Sequence, residues 1–337
     1  MANQSLVTVL MPVYNAAPFL YEAIASILQQ TFTGFEFIII NDGSTDNSEQ
    51  IILGFNDPRI RYIKNETNLK LIATLNKGFA VANGKYIVRM DADDVSLNNR
   101  LECQVKYMEA NTEVVMAGSW FESIGDVRKV VKYETDINLI RFKMLYQTQF
   151  CHPTVIIKKS VLKELDVLFD PAYLHAEDYD LFSRLSYKFK VSNIPEVLLQ
   201  YRVHATNVSV IYKDIQIENS LKVIAANFKA LGVTASKEEA ALFTELAYQN
   251  YLEVSTKLVV IEGLLQKLAA VSKGNKLIRH PLLYNFAITA WFNLCYNLIG
   301  KVHNIAAIFL NSALTRQYVS LKDKCRFMVK SAITKKV

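Results

Sequence analysis

The sequence predicts an α/β fold: a mostly parallel, doubly wound sheet in residues 1–210, followed by a helical C-terminal region in residues 211–337. Three observations predict it. In the first hundred residues, short apolar runs rich in β-branched side chains alternate with segments of helical spacing, the βαβ order of a parallel sheet. Segments bearing Asp, or Pro with Tyr, recur just after those runs, where open α/β sheets gather their ligands. From Tyr212 onward the apolar positions keep helical spacing. A composition of 51% hydrophobic and 21% charged residues over 337 positions supports a large core and argues against long disorder.

The elements follow in order. "LVTVLM" (6–11) reads as a strand buried on both faces, ended by Pro12, which cannot donate to a ladder. "APFLYEAIASILQQ" (17–30) brings Leu20, Ile24, Ile27 and Leu28 to one helix face. "FEFIII" (35–40) is the second strand. In "DGSTDNSEQIILGF" the N-cap candidates are Ser44 and Asp46, and Glu49 stands three residues after Asp46, a capping-box spacing. "RIRYIK" (59–64) is the third strand, "LIATLNKGFAVAN" (71–83) a helix stopped by Gly84, and "KYIVRM" (85–90) the fourth strand. Between 101 and 201 the pattern is mixed, with strands in "EVVMAGSW" and "TVIIK" and an amphipathic helix opening at "HAEDYDLFSRLS". In the helical region Gly232 and Gly274 end helices, and Ser236 with Glu239 caps one.

Charge is uneven. The net is +6, yet residues 211–337 hold 17 Lys and Arg against 8 Asp and Glu, while the first 210 hold 21 against 24. An acidic body with a basic tail points to a tail that meets an anionic surface, and it excludes a nucleic-acid partner, which needs a basic channel. Cys103, Cys151, Cys295 and Cys325 form no CxxC pair, and the N-terminal apolar run is too short for a signal peptide; both suit the cytoplasm. "PLLYNFAITAWFNLCYNLIG" (281–300) is uncharged and as a helix would reach about 30 Å, a bilayer core. Its polar arc of Asn285, Thr289, Asn293 and Asn297 favours a helix lying in the interface of an anionic membrane over one that spans it or packs on protein. Association into a homo-oligomer through the C-terminal helices is a further expectation.

Chemistry concentrates in a few segments. "RMDADD" sets Asp91, Asp93 and Asp94 after a buried strand, where like charges raise the cost of each other's ionisation. A hard divalent cation, Mn²⁺ or Mg²⁺, would offset them; the alternative is a solvated turn. In "NDGSTD", Gly43 permits a tight turn and Asp42 can accept from a base N–H, or else cap the next helix. In "PVYN", Tyr14 offers a face for base stacking, or is a core tyrosine. In "HAEDYDL", Glu177, Asp178 and Asp180 either complement the helix dipole or supply a general base. His204, ending "YRVH", completes a metal shell or lies on the surface. No GxGxxG follows the first strand, against a dinucleotide-binding dehydrogenase, and no Gly-rich basic loop does, against a sugar-nucleotide pyrophosphorylase.

Taken jointly, "VTVLMPVYN", "IIINDGSTDNS", "GKYIVRMDADD", "HPTVIIK", "AEDYDL" and "YRVH" resemble family 2 glycosyltransferases, over about residues 5–205. The resemblance implies the GT-A fold, a Rossmann-like sheet, and an inverting transfer from a nucleotide-sugar, expected to be a UDP-sugar. It implies a nucleotide site of Pro12, Val13, Tyr14, Asn15, Asp42, Lys70, Asp91 and Ala92. It implies a metal held by Asp93 and His204, with Asp178 as catalytic base and Glu177 positioning the base or acceptor. Lys70 stands where many relatives place Gly, so a local departure of the backbone is expected there. The expected acceptor is a glycan or lipid-linked oligosaccharide of cell-surface polysaccharide synthesis, met at the inner face of the cell membrane. The alternative expectation is a catalytically silent, membrane-bound nucleotide-binding partner of a glycan assembly complex.

Overall fold

A computed structural model describes residues 5–334 and divides the chain into two units: Met1–Ile140 with Thr148–Asn219, and Arg141–Gln147 with Ser220–Val337. The first unit opens with β1 (Val7–Val13), α1 (Ala17–Leu28), β2 (Phe35–Asn41), α2 (Ser48–Leu53), β3 (Ile60–Lys64), α3 (Leu71–Val81) and β4 (Tyr86–Arg89). These four strands are parallel, in the order β3-β2-β1-β4. β5 (Val95–Ser96), α4 (Arg100–Ala110), β6 (Val114–Gly125), β7 (Lys129–Val131), α5 (Ile137–Lys143, whose last three residues belong to the second unit), β8 (Ile156–Lys158), α6 (Glu177–Lys188), β9 (Lys190–Val203) and α7 (Val208–Ile211) follow. They extend the sheet as β4-β8-β6-β9-β5, with β8 antiparallel to both β4 and β6. β1, β2 and β4 are buried almost throughout, as apolar runs covered on both faces must be.

Three local expectations are corrected. Pro12 does not end β1, which continues to Val13 with Pro12 opposite Ile40. Leu6 and Leu10 bond towards β4 and Val13 towards β2, so even-numbered residues of β1 face β4. Pairing with β4 stops at Leu10, so the missing Pro12 N–H faces a side where the ladder is already finished. Ser44, Asp46 and Glu49 do not build a capping box: Asn47 is the N-cap of α2 and its side chain makes no capping bond. Ser44 and Asp46 accept instead from the backbone N–H groups of Asn15 and Ala17, and Glu49 bonds Tyr62 and Lys64. Gly84 does not stop α3, which has ended at Val81; a Cβ at Gly84 would lie 2.5 Å from the Thr8 nitrogen, so its role is close approach to β1.

The second unit is helical: α8 (Lys213–Ala230), whose first residues belong to the first unit, then α9 (Lys237–Ala247), α10 (Tyr251–Val254), α11 (Leu258–Val271), α12 (Leu282–Asn297), α13 (Ile305–Asn311), α14 (Ala313–Tyr318) and α15 (Leu321–Thr334). Ser236 and Glu239 form the expected capping box on α9. α12 departs from expectation. It has 16 residues, and no helix among the described residues is long and apolar enough to cross a membrane. Nor is its apolar face free for a membrane surface. Leu283, Ala287, Trp291 and Leu294 are buried, Trp291 donates to Thr315 Oγ1 of α14 (3.0 Å), and Phe292 meets Phe309 of α13. Asn285, Thr289 and Asn297 face solvent. The helix is therefore packed on protein, because neighbouring helices complement its apolar stripe.

Candidate active site

Strand β1 has β2 on one side and β4 on the other, so the winding direction reverses there. Loops leaving the carboxyl ends of β1 and β4 diverge and open a crevice. The loop after β1 ends in half-exposed Tyr14 and in Asn15 at φ +50°. Asn15 ties this loop to the one after β2, its N–H donating to Ser44 Oγ (3.0 Å) and its Oδ1 accepting from Thr45 N (2.8 Å). Pro12 and Val13 are buried in the strand.

Asp42 follows β2 and is buried. Its Oδ1 accepts from Asn65 Nδ2 (2.7 Å) and Leu69 N (2.9 Å), and no described residue bonds its Oδ2. One oxygen is thus anchored while the other can accept from a ligand. Gly43 (φ +69°) lets the chain pass Thr67 and Asn68: a Cβ there would lie 2.7 Å from the Thr67 carbonyl carbon. Leu69 leads into exposed Lys70, which begins α3 at φ 72°, ψ 162°. The backbone thus keeps a glycine-like conformation where a departure was expected, and Lys carries the strain.

After β4, ligand atoms of Asp91, Asp93 and Asp94 lie within 4.8 Å of one another, an arrangement that fits a hard divalent cation. His204 Nε2 is 3.1 Å from Asp93 Oδ2 and 3.4 Å from Asn207 Nδ2, and its Nδ1 is 2.7 Å from Thr206 Oγ1, so a hydroxyl acceptor on Nδ1 would leave the Nε2 lone pair able to ligate in place of the Asn207 contact. Ala92 is buried between the two carboxylates. Arg202 of β9 fixes this loop: its N–H donates to Asp94 Oδ1 (2.8 Å), its Nε to the Asp93 carbonyl (2.8 Å), and its guanidinium covers the Phe19 ring. Burial, reinforced by Asp91 and Asp93, pushes Asp94 well above the usual carboxylate range.

A resident cation also offsets these charges, so an added ion is not their only counter-charge. Arg89 is 2% exposed and forms an ion pair with Asp91. Buried Arg100 donates to the Arg89 carbonyl (2.8 Å), and burial lowers its own guanidinium to about 10. Arg89 also acts on the first turn of α6. There burial raises Asp178 to about 6 and Glu177 to about 7, while Arg89 pulls both down and Asp91 pushes Asp178 up. The carboxylates after β4 and those of α6 therefore share one electrostatic neighbourhood. Asp180 belongs elsewhere, paired with Arg184 (2.6 Å).

Sequence reasoning missed Arg89, Arg202 and His152. All three stood inside quoted segments, "RMDADD", "YRVH" and "HPTV". The signal for the arginines was a cation within or facing an acidic loop.

The model of the family described as Glycosyl transferase family 2 matches residues 8–165. An uncharacterized glycosyltransferase of Haemophilus influenzae is 32% identical over 298 residues, covering 84% of this chain and 86% of the relative. The UDP-Glc:alpha-D-GlcNAc-diphosphoundecaprenol beta-1,3-glucosyltransferase WfgD of Escherichia coli is 27% identical over 254 residues, 75% of this chain and 94% of that one. Among solved structures, the mannosyltransferase PcManGT from Pyrobaculum calidifontis in complex with GDP-Man and Mn²⁺ superposes with a TM-score of 0.53 at 15% identity, over 98% of this chain and 87% of that chain. At that identity the likeness is one of fold.

Proposed function

The chain belongs to glycosyl transferase family 2, and from that premise we propose that it is an inverting, metal-dependent transferase moving a sugar from a UDP-sugar to a hydroxyl of a lipid-linked or other cell-surface glycan. It is a glycosyltransferase of GT-A fold acting on a nucleotide-sugar. The proposed transfer is supported above all by the shared neighbourhood of the Asp91–Asp93–Asp94 loop and the raised carboxylates of α6, joined through Arg89. WfgD, whose name specifies UDP-Glc and a diphosphoundecaprenol-linked sugar, supports the donor and acceptor classes.

In this reading Tyr14 stacks on the base, Asp42 Oδ2 accepts from a base N–H, and Asp91 faces the ribose. Val13, Asn15 and Ala92 shape the pocket, and Lys70 meets the diphosphate. Asp93 and His204 would hold Mn²⁺ or Mg²⁺, which when bound supplies positive charge to the departing diphosphate. Asp178, near pKa 6, is ionised at neutral pH and takes the proton of the acceptor hydroxyl. The hydroxyl oxygen forms its bond to the anomeric carbon as the bond from that carbon to the diphosphate oxygen breaks. The nucleoside diphosphate leaves with the electron pair, and the anomeric configuration inverts. Glu177, higher at about 7, is the better placed of the two to keep a proton and orient the acceptor.

Peripheral contact with an anionic membrane at the cytoplasmic face belongs to the same proposal, moved from α12 to α15. There Leu321, Met328, Val329 and Ile333 are exposed on one side of the helix, with Lys322 among them and Lys324 and Arg326 at the borders.

Calorimetric titration of UDP, GDP, dTDP and CDP, with and without Mn²⁺, tests the donor site. UDP should bind most tightly, Mn²⁺ should strengthen it, and Asp93→Ala should remove the Mn²⁺ effect. Preference for GDP would refute the donor assignment, and an intact Mn²⁺ effect in Asp93→Ala would refute the metal assignment.

A further inference from the structure

His152 lies beside α6 with its side chain 11% exposed, yet the transfer step described above does not use it. It opens a short 3₁₀ turn, His152–Thr154, just before β8. Its ring packs against Phe169 and edge-on to Phe182, with centroids 5.7 and 5.8 Å away. Phe182 lies four residues beyond Asp178 on α6, so one helix turn holds both the ring and the carboxylate. His152 Nδ1 is 3.9 Å from Asp178 Oδ2. Asp178 Oδ1 already accepts from Tyr179 N at 2.7 Å. At the other end of the ring, Nε2 is shut off from solvent with no partner among the described residues.

These contacts favour one tautomer. A neutral imidazole has one N–H and one lone pair. A proton on Nε2 would bury an unsatisfied donor and turn the Nδ1 lone pair towards a carboxylate, both unfavourable. A proton on Nδ1 faces an anionic acceptor and leaves only a lone pair in the enclosed position. Burial and the nearby Arg89 hold His152 well below the usual histidine range, so the ring stays neutral and does not itself receive the acceptor's proton.

We propose that His152 is the positioning residue of Asp178, its Nδ1–H held against Oδ2 so that the carboxylate keeps one orientation and its ionised form is favoured. The inference rests on the reading of Asp178 as the base. Contacts of this kind are commonly long without substrate and shorten in the working complex. The other titratable groups acting on or beside Asp178 are Arg89 and Asp91 from the β4 end, Glu177 on α6, Cys151 beside the 3₁₀ turn, and Tyr133. Of these only Arg89 is a cation, so His152 supplies a donor where burial and acidic neighbours raise the carboxyl.

The spectroscopic test needs no acceptor. Long-range ¹⁵N–¹H correlation of the histidine rings reports the tautomer, and ¹³C-carboxyl spectra titrate Asp178 in the wild type, His152→Asn and His152→Phe. Asn offers a donor near the place of Nδ1; Phe keeps the volume without one. The expected result is an Nδ1–H tautomer for His152, an Asp178 midpoint raised by about one pH unit in His152→Phe, and a midpoint near wild type in His152→Asn. An Nε2–H tautomer, or equal midpoints in all three proteins, overturns the proposal. Thermal scans confirm folding, and if His152→Phe fails to fold, His152→Leu takes its place. Turnover of UDP-Glc by Asp178→Asn tests the underlying reading separately. Retained turnover would remove Asp178 as base, whereas lost turnover with an unmoved midpoint would remove only the role of His152.

Discussion

Lys70 carries backbone strain and, in the proposed donor site, meets the diphosphate; two substitutions separate these roles. At φ 72°, ψ 162° it occupies a region that only Gly enters freely, at a cost of about 1–3 kcal/mol for a residue with a Cβ. Its surroundings impose the conformation. The preceding N–H, of Leu69, is held by Asp42 Oδ1; the Lys70 N–H donates to Asn68 Oδ1; and the Lys70 carbonyl accepts from Thr74 N in the first turn of α3. Lys70→Gly removes the strain and adds about 0.5–1 kcal/mol of unfolded-chain entropy, leaving a net gain of roughly 1 kcal/mol. That raises Tm by about 2–4 °C in a unit of this size. Lys70→Ala keeps the strain and gains nothing. Both remove the ammonium, so UDP affinity with Mn²⁺ should fall about tenfold in each, the value of one charge-assisted contact to phosphate. Scanning calorimetry and UDP titration on the three proteins decide the matter. Lys70→Gly no more stable than Lys70→Ala would refute the strain argument, and unchanged UDP affinity in both would refute the diphosphate contact.

Two further outcomes are expected. Glu177 and Asp178 sit above their unfolded values, so between about pH 4 and 7 the native state binds more protons than the unfolded chain, and stability falls as pH rises through that window. Without divalent ions, Glu177→Gln should therefore be more stable than wild type at pH 8 by about 1–3 kcal/mol, with the difference vanishing below pH 4; a constant difference across pH would contradict the assignment. On α15, wild type should co-sediment with phosphatidylglycerol vesicles and not with phosphatidylcholine vesicles, and replacing Leu321, Val329 and Ile333 with Ser should release it. Full binding by that triple variant would rule α15 out as the contact.

The sequence by itself determined the parallel half of the sheet, because runs buried on both faces and helices of fixed period leave a local pattern in composition. It also placed Asp42, Asp91 and Asp93 in loops at one end of that sheet, since strand order alone dictates where such loops converge, whereas Asp178 and His204 were singled out by the resemblance to family 2 glycosyltransferases. It could not decide what each polar group touches. Ser44, Asp46 and Glu49 had the spacing of a cap and instead bond neighbouring segments, because hydrogen-bond partners distant in sequence compete with local ones. Residues 281–300 had the length of a span and instead form a packed helix, because an apolar stripe reads the same whether lipid or other helices cover it. Lys70 kept a glycine's backbone because Asp42 and α3 fix the chain on either side of it. Only the tertiary structure brought Arg89 within electrostatic reach of both carboxylate groups and His152 within 3.9 Å of Asp178. Charge balance in a buried site depends on distances in space, and residue spacing along the chain does not carry them.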